Sequence, residues 1–468
     1  MVSHFIFCCR ETRFKGASMR AHFFITAAWR DPAEVLARFA DEPFALGLLS
    51  GGGGPRGRWS YLARAPDRIL ILGATDRRDP FEALTDLIGP PSPAVPDGPP
   101  FQGGVAGVCA YELADRVEAL GLGRLDDWPD LACARYPALL AFDHERRAVT
   151  AIGRGNNAAE AEQRAREASS WLGLAPGRPP VAGALAGELI GEPPERYEAA
   201  VADVVARIAR GEIFQANIAR RWLGRLAAGA RPFDLLARLV AQSPAPFAAY
   251  LRLPGRALVS NSPERFVRVT AEGHKLRVET RPIKGTIRRG ADADEDQALA
   301  AELAASVKDR AENLMIVDLM RNDLARACAP GSVTTPRLFE VETFANVHHL
   351  VSMVEGELAV GRTAIDLLRG AFPPGSITGA PKVQAMRVIA GHEAPRGPFF
   401  GSMILAGFDG SLDSSVLIRT MALTEDQGGW RFEARAGGGV VADSEPRAEL
   451  QETEAKFAAL RRALSGEA

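Results

Sequence analysis

The sharpest chemistry in this chain lies in one stretch, Glu279-Thr280-Arg281-Pro282-Ile283-Lys284-Gly285-Thr286. Lys284 is its only lysine. It is held between a stiff Pro-Ile step and a glycine that lets a second group come close. The alternating run Lys275-Leu276-Arg277-Val278-Glu279 before it reads as a strand end. A lysine placed there is either a solvated surface charge or an amine nucleophile, which must shed its proton through burial or cationic neighbours. Arg281, Arg288 and Arg289 supply local positive charge, and composition alone does not separate the two readings.

Carboxylates come next. In Ser262-Pro263-Glu264-Arg265-Phe266, Glu264 directly follows a proline, as a salt-bridged turn or a general acid. Asp309 and Glu312, three apart, share one face at the start of a long helix expected to run through Leu314, Val317 and Leu324. Glu449, Glu452 and Lys456 form a second stripe, in which Glu452 and Lys456 alone would be an ordinary solvated i,i+4 pair. Two carboxylate pairs on two helices can also face each other across a cleft and hold Mg²⁺, which takes a few carboxylates and fills its remaining positions with water and substrate oxygens. His348 and His349 lack the spaced partners of a zinc site.

Groups able to hold an anion are also present. The tight loop over 372–382 carries Gly375, Ser376, Thr378 and Gly379 ahead of a helix expected near Pro381, an arrangement that suits a carboxylate. A second glycine-rich approach is Ala436-Gly437-Gly438-Gly439. Arg419, two residues after Leu417 on a strand-like segment, is a candidate carboxylate clamp. Gln215 and Asn217 place amides beside an apolar strand, and polar turn residues are an equal reading there.

These groups need a large scaffold, and 468 residues allow one, with more than one domain. The composition, 47% hydrophobic and 24% charged, is that of a soluble globular chain. A net charge of -2 without a long basic run argues against nucleic acid, and no apolar stretch is long enough to span a bilayer. Five scattered cysteines point to reduced thiols in a cytoplasmic protein. Residues 1–21 lack the apolar centre of a signal peptide and read as a disordered leader, with Met1 or Met19 as the start.

Residues 22–171 alternate short apolar runs with turns. The glycines at 51–54 have no following Lys-Ser/Thr pair and are read as a hairpin turn. The proline-rich segment 90–100 is an expected surface loop, 138–152 strand and turn, and 158–171 a charged helix. Residues 172–195, rich in Gly, Pro and Ala, are the expected linker to a chemical region at 196–464. That region opens on a helix with Val201, Val204, Val205 and Ile208 on one stripe, ended by Gly211.

In order, the segments 282–286, 311–323, 375–382, 418–420 and 436–444 resemble the chorismate-utilising enzymes (anthranilate, aminodeoxychorismate, isochorismate and salicylate synthases) over 197–464. Before that, only Leu48-Leu49-Ser50 and Arg58-Trp59-Ser60 are loosely similar. The resemblance implies an α/β (α+β) fold, two large antiparallel sheets packed as a sandwich with helices outside. Lysine at 284 resembles the aminodeoxychorismate synthase component I branch, since anthranilate synthases carry alanine there, and Gln215 and Asn217 lean the same way.

For the site, the resemblance implies Lys284 as nucleophile at C2 of chorismate, Glu264 as the acid that protonates the leaving C4 hydroxyl, and His349 near the ring. It implies Mg²⁺ on Glu312 and Glu452, with Asp309 and Glu449 supporting through water. Substrate contacts would come from Gln215, Asn217, Thr286, Gly375, Ser376, Thr378, Gly379, Arg419, Gly437, Gly438, Gly439 and Lys456. The product would be 4-amino-4-deoxychorismate, on the route to 4-aminobenzoate and folate.

The chain departs from the family at Arg220, where glutamine is frequent, at Phe400, and at Met403-Ile404, all expected near the pocket. None of the five cysteines sits in a Gly-x-Cys-x-Gly elbow, so ammonia is expected from a separate glutamine amidotransferase subunit. The final step to 4-aminobenzoate is expected from a separate lyase. The alternatives are anthranilate synthase component I, which would release anthranilate and pyruvate, and a non-catalytic protein that binds chorismate or tryptophan, which would bind without turnover.

Overall fold

The computed structural model describes residues 21–51, 55–273, 275–344 and 347–466. The expected leader, apart from Ala21, lies outside the described residues, as do three glycines of the 51–54 run. The strands flanking that run, Leu46–Leu49 and Trp59–Ala63, pair antiparallel.

Among the described residues two antiparallel sheets form the body, one of twelve strands and one of ten. The larger runs Ala21–Ala28, Ala148–Gly155, Ala138–Asp143, Trp59–Ala63, Leu46–Leu49, Phe247–Leu253, Arg256–Ser262, Thr420–Asp426, Gly429–Val440, Gln215–Leu226 and Gly379–Ala380, with Ala186–Gly191 also on Gln215–Leu226. The smaller runs Ile283–Arg288, Val347–Glu357, Lys275–Thr280, Arg265–Glu272, Leu412–Val416, Ser402–Gly407, Gly104–Cys109, Leu131–Tyr136 and Arg68–Leu72, with Thr334–Thr343 also on Val347–Glu357.

Central strands such as Gly104–Cys109 and Ala138–Asp143 are buried at every residue. Both of their faces are covered, which is why they read as apolar runs without alternation. One core takes Tyr61, Leu251 and Leu258 from the larger sheet and Val105, Phe266 and Ile404 from the smaller. The helices Val307–Ala325 and Ala364–Ala371 add Ile316, Met320 and Leu368 to it. A second core lies between the larger sheet and the helices Pro32–Leu36, Pro232–Gln242 and Pro446–Ser465, where Trp222 and Phe457 stack 4.3 Å apart.

Strands from before residue 171 are woven into both sheets: Leu46–Leu49 pairs with Phe247–Leu253, and Gly104–Cys109 with Ser402–Gly407. Each portion of the chain thereby covers sheet edges that the other would expose. Within 172–195 the chain forms the strand Ala186–Gly191 and starts the helix Pro194–Ala209, whose buried stripe includes Tyr197, Val201 and Val204. The charged helix is Ala158–Ser170, capped by Asn157.

The strand end before Lys284 and the long helix through Leu314, Val317 and Leu324 form as expected, and the placement of Arg419 changes. Lys284 lies on the strand Ile283–Arg288, with two residues between it and the end of Lys275–Thr280. In the helix Val307–Ala325 the buried stripe is Asn313, Ile316, Val317, Met320 and Leu324, while Leu314 is exposed. Asn313 displaces it because its amide has partners inside, accepting from the Ser352 hydroxyl and donating to the carbonyls of Pro282 and Leu350. Arg419 sits not on a strand but at the break between Leu412–Val416 and Thr420–Asp426, with φ of 50°. Cys109, Cys133 and Cys328 are free and buried, and no helix of the described residues is long and apolar enough to cross a membrane.

Candidate active site

A cavity of about 620 Å³ opens where the helices Val307–Ala325 and Pro446–Ser465 approach the strands Ile283–Arg288, Gln215–Leu226 and Gly429–Val440. Lys284 reaches it through an irregularity in the sheet. Its strand pairs Lys284 with Leu350 and Thr286 with His349, and the register slips at Gly285. Such a bulge re-aims the neighbouring side chain. Gly285 is required there twice over: its φ is 76°, and a Cβ would stand 2.9 Å from the Asp309 carboxyl carbon. The Lys284 ammonium, only 15% exposed, lies 3.7 Å from Glu312.

Glu264 occupies the turn after Arg256–Ser262, where the Ser262 hydroxyl accepts its N–H. The Ser376 hydroxyl donates to its carboxylate at 2.6 Å. Burial raises its pKa above the ordinary carboxyl value, against that hydrogen bond and the nearby charges of Lys284, Lys456 and Arg419. A carboxyl so placed keeps its proton longer than an exposed one, as a general acid must.

His349 bonds through Nδ1 to the Thr286 hydroxyl at 2.8 Å and meets the Phe344 ring edge-on. Burial, then repulsion from Arg419 and Arg56, lowers its pKa to about 4, so the imidazole is neutral at physiological pH. The Arg419 guanidinium has no carboxylate at ion-pair distance among the described residues; burial lowers its pKa, against the nearby charge of Glu264. It is thus a cation facing the cavity with capacity for an anion.

Two glycines keep the space open. A Cβ on Gly439 would meet Gln215 Nε2 at 1.9 Å and Lys284 Nζ at 3.0 Å, and one on Gly438 would meet Glu449 at 2.6 Å. Gln215 is 1% exposed and its amide has no hydrogen-bond partner at either end; the side-chain oxygen Oδ1 of Asn217 is likewise buried and unpartnered. Asn217 lines the cavity, so its orphaned oxygen is one a polar ligand can satisfy, whereas Gln215 does not line it and lies behind Gly439.

The four acids Asp309, Glu312, Glu449 and Glu452 all line this cavity. Ser306 caps the Asp309 helix, accepting the Asp309 N–H and donating its hydroxyl to the Asp309 carboxylate. Glu449 accepts from Ser444 at 2.7 Å, and burial raises its pKa. Burial would raise Glu452 too, but the ammoniums of Lys456, Lys284 and Lys308 together hold it below the usual value. Among the described residues no three acids or histidines gather at metal-binding distance. The donor set still fits a hard cation in being oxygen ligands only, on two helices facing one cavity, although Glu312 and Glu452 here pair with lysine ammoniums that a cation would have to displace.

Of the residues singled out in the sequence, the cavity brings together Lys284, Glu264, His349, Asn217, Thr286, Ser376, Arg419, Gly437, Gly439, Lys456 and the four acids. Lys456 donates to the Gly437 carbonyl at 2.9 Å as well as pairing with Glu452. Gly438 lies in the ladder opposite Ile218. Gly375, Thr378 and Gly379 do not line the cavity. Gly375 packs on Leu319, the buried Thr378 hydroxyl bonds within its own loop, and Gly379 presses on the Gln215 carbonyl, so the three shape the loop that presents Ser376.

Of the departures expected near the pocket, only Phe400 lines it. Arg220 points to the other face of its strand, over Trp222 and paired with Glu454, because residues at even positions there face away from Asn217. Met403 and Ile404 are core residues of the smaller sheet. Lys308 and Arg435 line the cavity without having been singled out; neither carries a motif signal of its own.

A sequence profile described as chorismate binding enzyme matches residues 52–462, reaching back well before residue 197 where the motif resemblance starts. Aminodeoxychorismate synthase component 1 of Salmonella typhimurium is 40% identical over 451 residues, spanning 92% of this chain and 95% of that protein. Anthranilate synthase component 1 of Streptomyces coelicolor is 39% identical over 429 residues, spanning 87% and 81%. The crystal structure of anthranilate synthase component I from Streptococcus pneumoniae superposes with a TM-score of 0.75 at 28% identity, covering 87% of this chain and 93% of that one. With profile, relatives and fold in agreement, the chain belongs to the chorismate binding enzyme family.

Proposed function

We propose that this protein aminates chorismate at C4, giving 4-amino-4-deoxychorismate with ammonia from a glutamine amidotransferase partner. The observation that carries the reading is Lys284, a sheltered amine inside the cavity, 3.7 Å from Glu312 and beside the open space over Gly439. Arg419 and Lys456 have the charge to grip the substrate carboxylates. Lys284 attacks C2 while the C4–O bond breaks, and Glu264 gives its proton to the departing hydroxyl. Ammonia then adds at C4, the bond from C2 to Lys284 breaks, and the amine is restored. Neutral His349 orients the ring by hydrogen bonding.

Glu312 and Glu452, with Asp309 and Glu449 through water, would hold Mg²⁺, which supplies a positive centre for the ring carboxylate. The relatives' designation as component 1 supports a second component as ammonia source. A separate lyase would complete the cytoplasmic route to 4-aminobenzoate and folate.

Incubation of the purified protein with chorismate, ammonium and Mg²⁺, read by mass spectrometry, tests the proposal. The expected product is 4-amino-4-deoxychorismate. Anthranilate with pyruvate would instead support the second reading, anthranilate synthase component 1, which the 39% identity to the Streptomyces protein favours. Unchanged chorismate would overturn both.

A further inference from the structure

Behind the cavity lies a charged pair that touches none of its space. Arg396 and Glu393 have side chains 2% and 6% exposed, and their groups meet at 2.8 Å. Burying such a pair is costly unless its hydrogen bonds are used, and here several of them run to residues of the cavity wall. Arg396 donates to the Asn217 carbonyl at 2.6 Å and to the Ile377 carbonyl at 3.0 Å. Its guanidinium also lies 4.4 Å from the Phe400 ring centroid. Glu393 accepts the Ala219 N–H at 2.8 Å and faces Arg435 at 3.5 Å. Asn217, Ile377, Phe400 and Arg435 all line the cavity. The Glu112 carboxylate fixes the pair from behind by accepting the N–H groups of Arg396 and Gly397.

We infer that Arg396, held by Glu393, is a positioning residue that locks the Ser376-Ile377 segment against Asn217 and so aims the Ser376 hydroxyl at Glu264. The inference rests on the proposed role of Glu264 as the acid. Ile377 is the residue after Ser376, so a shift of its carbonyl moves the 2.6 Å bond that Ser376 donates to Glu264. Only a planar fork can reach two carbonyls and a carboxylate at once; an ammonium keeps the charge and loses that geometry. Glu264 faces Lys284, Lys456 and Arg419 besides Ser376, and none of these three bonds Arg396. Loss of the Ser376 bond alone would therefore let Glu264 hold its proton to higher pH.

The test is steady-state amination of chorismate by wild type, Arg396→Lys, Ser376→Ala and the double variant across pH. Arg396→Lys is expected to lower kcat roughly 10-fold or more with KM for chorismate within about 3-fold, since the lost interaction acts on proton transfer. Its alkaline limb should move upward as in Ser376→Ala, and the double variant should be no worse than the poorer single one. Unchanged kcat would overturn the inference. So would a fall in kcat with the limb unmoved and the two effects multiplying, which marks a merely structural role. Should Arg396→Lys fail to fold, Glu393→Gln, which keeps its size and an acceptor for Ala219, carries the same readouts. A wild type that gives no aminated product refutes the proposed function instead.

Discussion

Lys284 and Glu312 approach to 3.7 Å although one belongs to a strand of the smaller sheet and the other to a helix lying across it. Asn313 makes the meeting possible. Its buried amide ties the helix to the carbonyls of Pro282 and Leu350, so the residue before it is held over the strand. If Lys284 is the nucleophile, Lys284→Ala should lower amination at least about 10³-fold while circular dichroism and melting stay near wild type. A wild-type rate in that variant would end the covalent route.

Glu264→Gln keeps the shape of the side chain and a partner for Ser376 but has no proton to give. Chorismate turnover should fall about 10²- to 10⁴-fold, the usual weight of general acid catalysis. The alkaline limb of the remaining pH–rate profile should flatten, because the group that titrates there is gone. A retained limb would assign the acid elsewhere.

Chelation should abolish activity and Mg²⁺ should restore it. Glu312→Gln and Glu452→Gln should each raise the Mg²⁺ concentration needed for half-maximal rate by about 10-fold or more. Isothermal titration with Mg²⁺ gives the same comparison without turnover. An unaltered metal requirement in both variants would remove these carboxylates from the ligand set.

Gly439→Ala places a methyl where Gln215 Nε2 stands 1.9 Å away and Lys284 Nζ 3.0 Å away. Both groups must yield, so KM for chorismate should rise roughly 10-fold, with a loss of stability of about 1–3 kcal/mol by overpacking. Near-normal kinetics would show that the wall gives way freely.

His349 links stability to pH. Its folded pKa of about 4 lies below the unfolded value near 6.5, so between these limits the unfolded chain binds the proton more tightly. Stability is therefore full above about pH 6.5 and falls as pH drops toward 4, by at most about 3 kcal/mol from this residue. In urea melts across that range, His349→Gln should show a shallower acid slope than wild type. Equal slopes would contradict the burial argument.

Much of the site was legible in the sequence because its parts are local. The Pro282-Ile283-Lys284-Gly285-Thr286 segment, the i,i+3 acids on two helices and the glycine run each declare themselves within a few residues. Their order carried the resemblance to the family, and the two-sheet fold and chorismate chemistry were what that resemblance implied. What the sequence left open depends on which face a residue takes and what it meets there. Whether Lys284 is solvated or sheltered is settled by a bulge and by a helix pinned through Asn313. That Arg220 turns away from the cavity follows from strand parity, and that Thr378 serves its own loop follows from the carbonyls it finds there. The buried pair of Arg396 and Glu393 carries no motif: its partners are main-chain carbonyls and amides, which every residue possesses, and only folding brings them within reach.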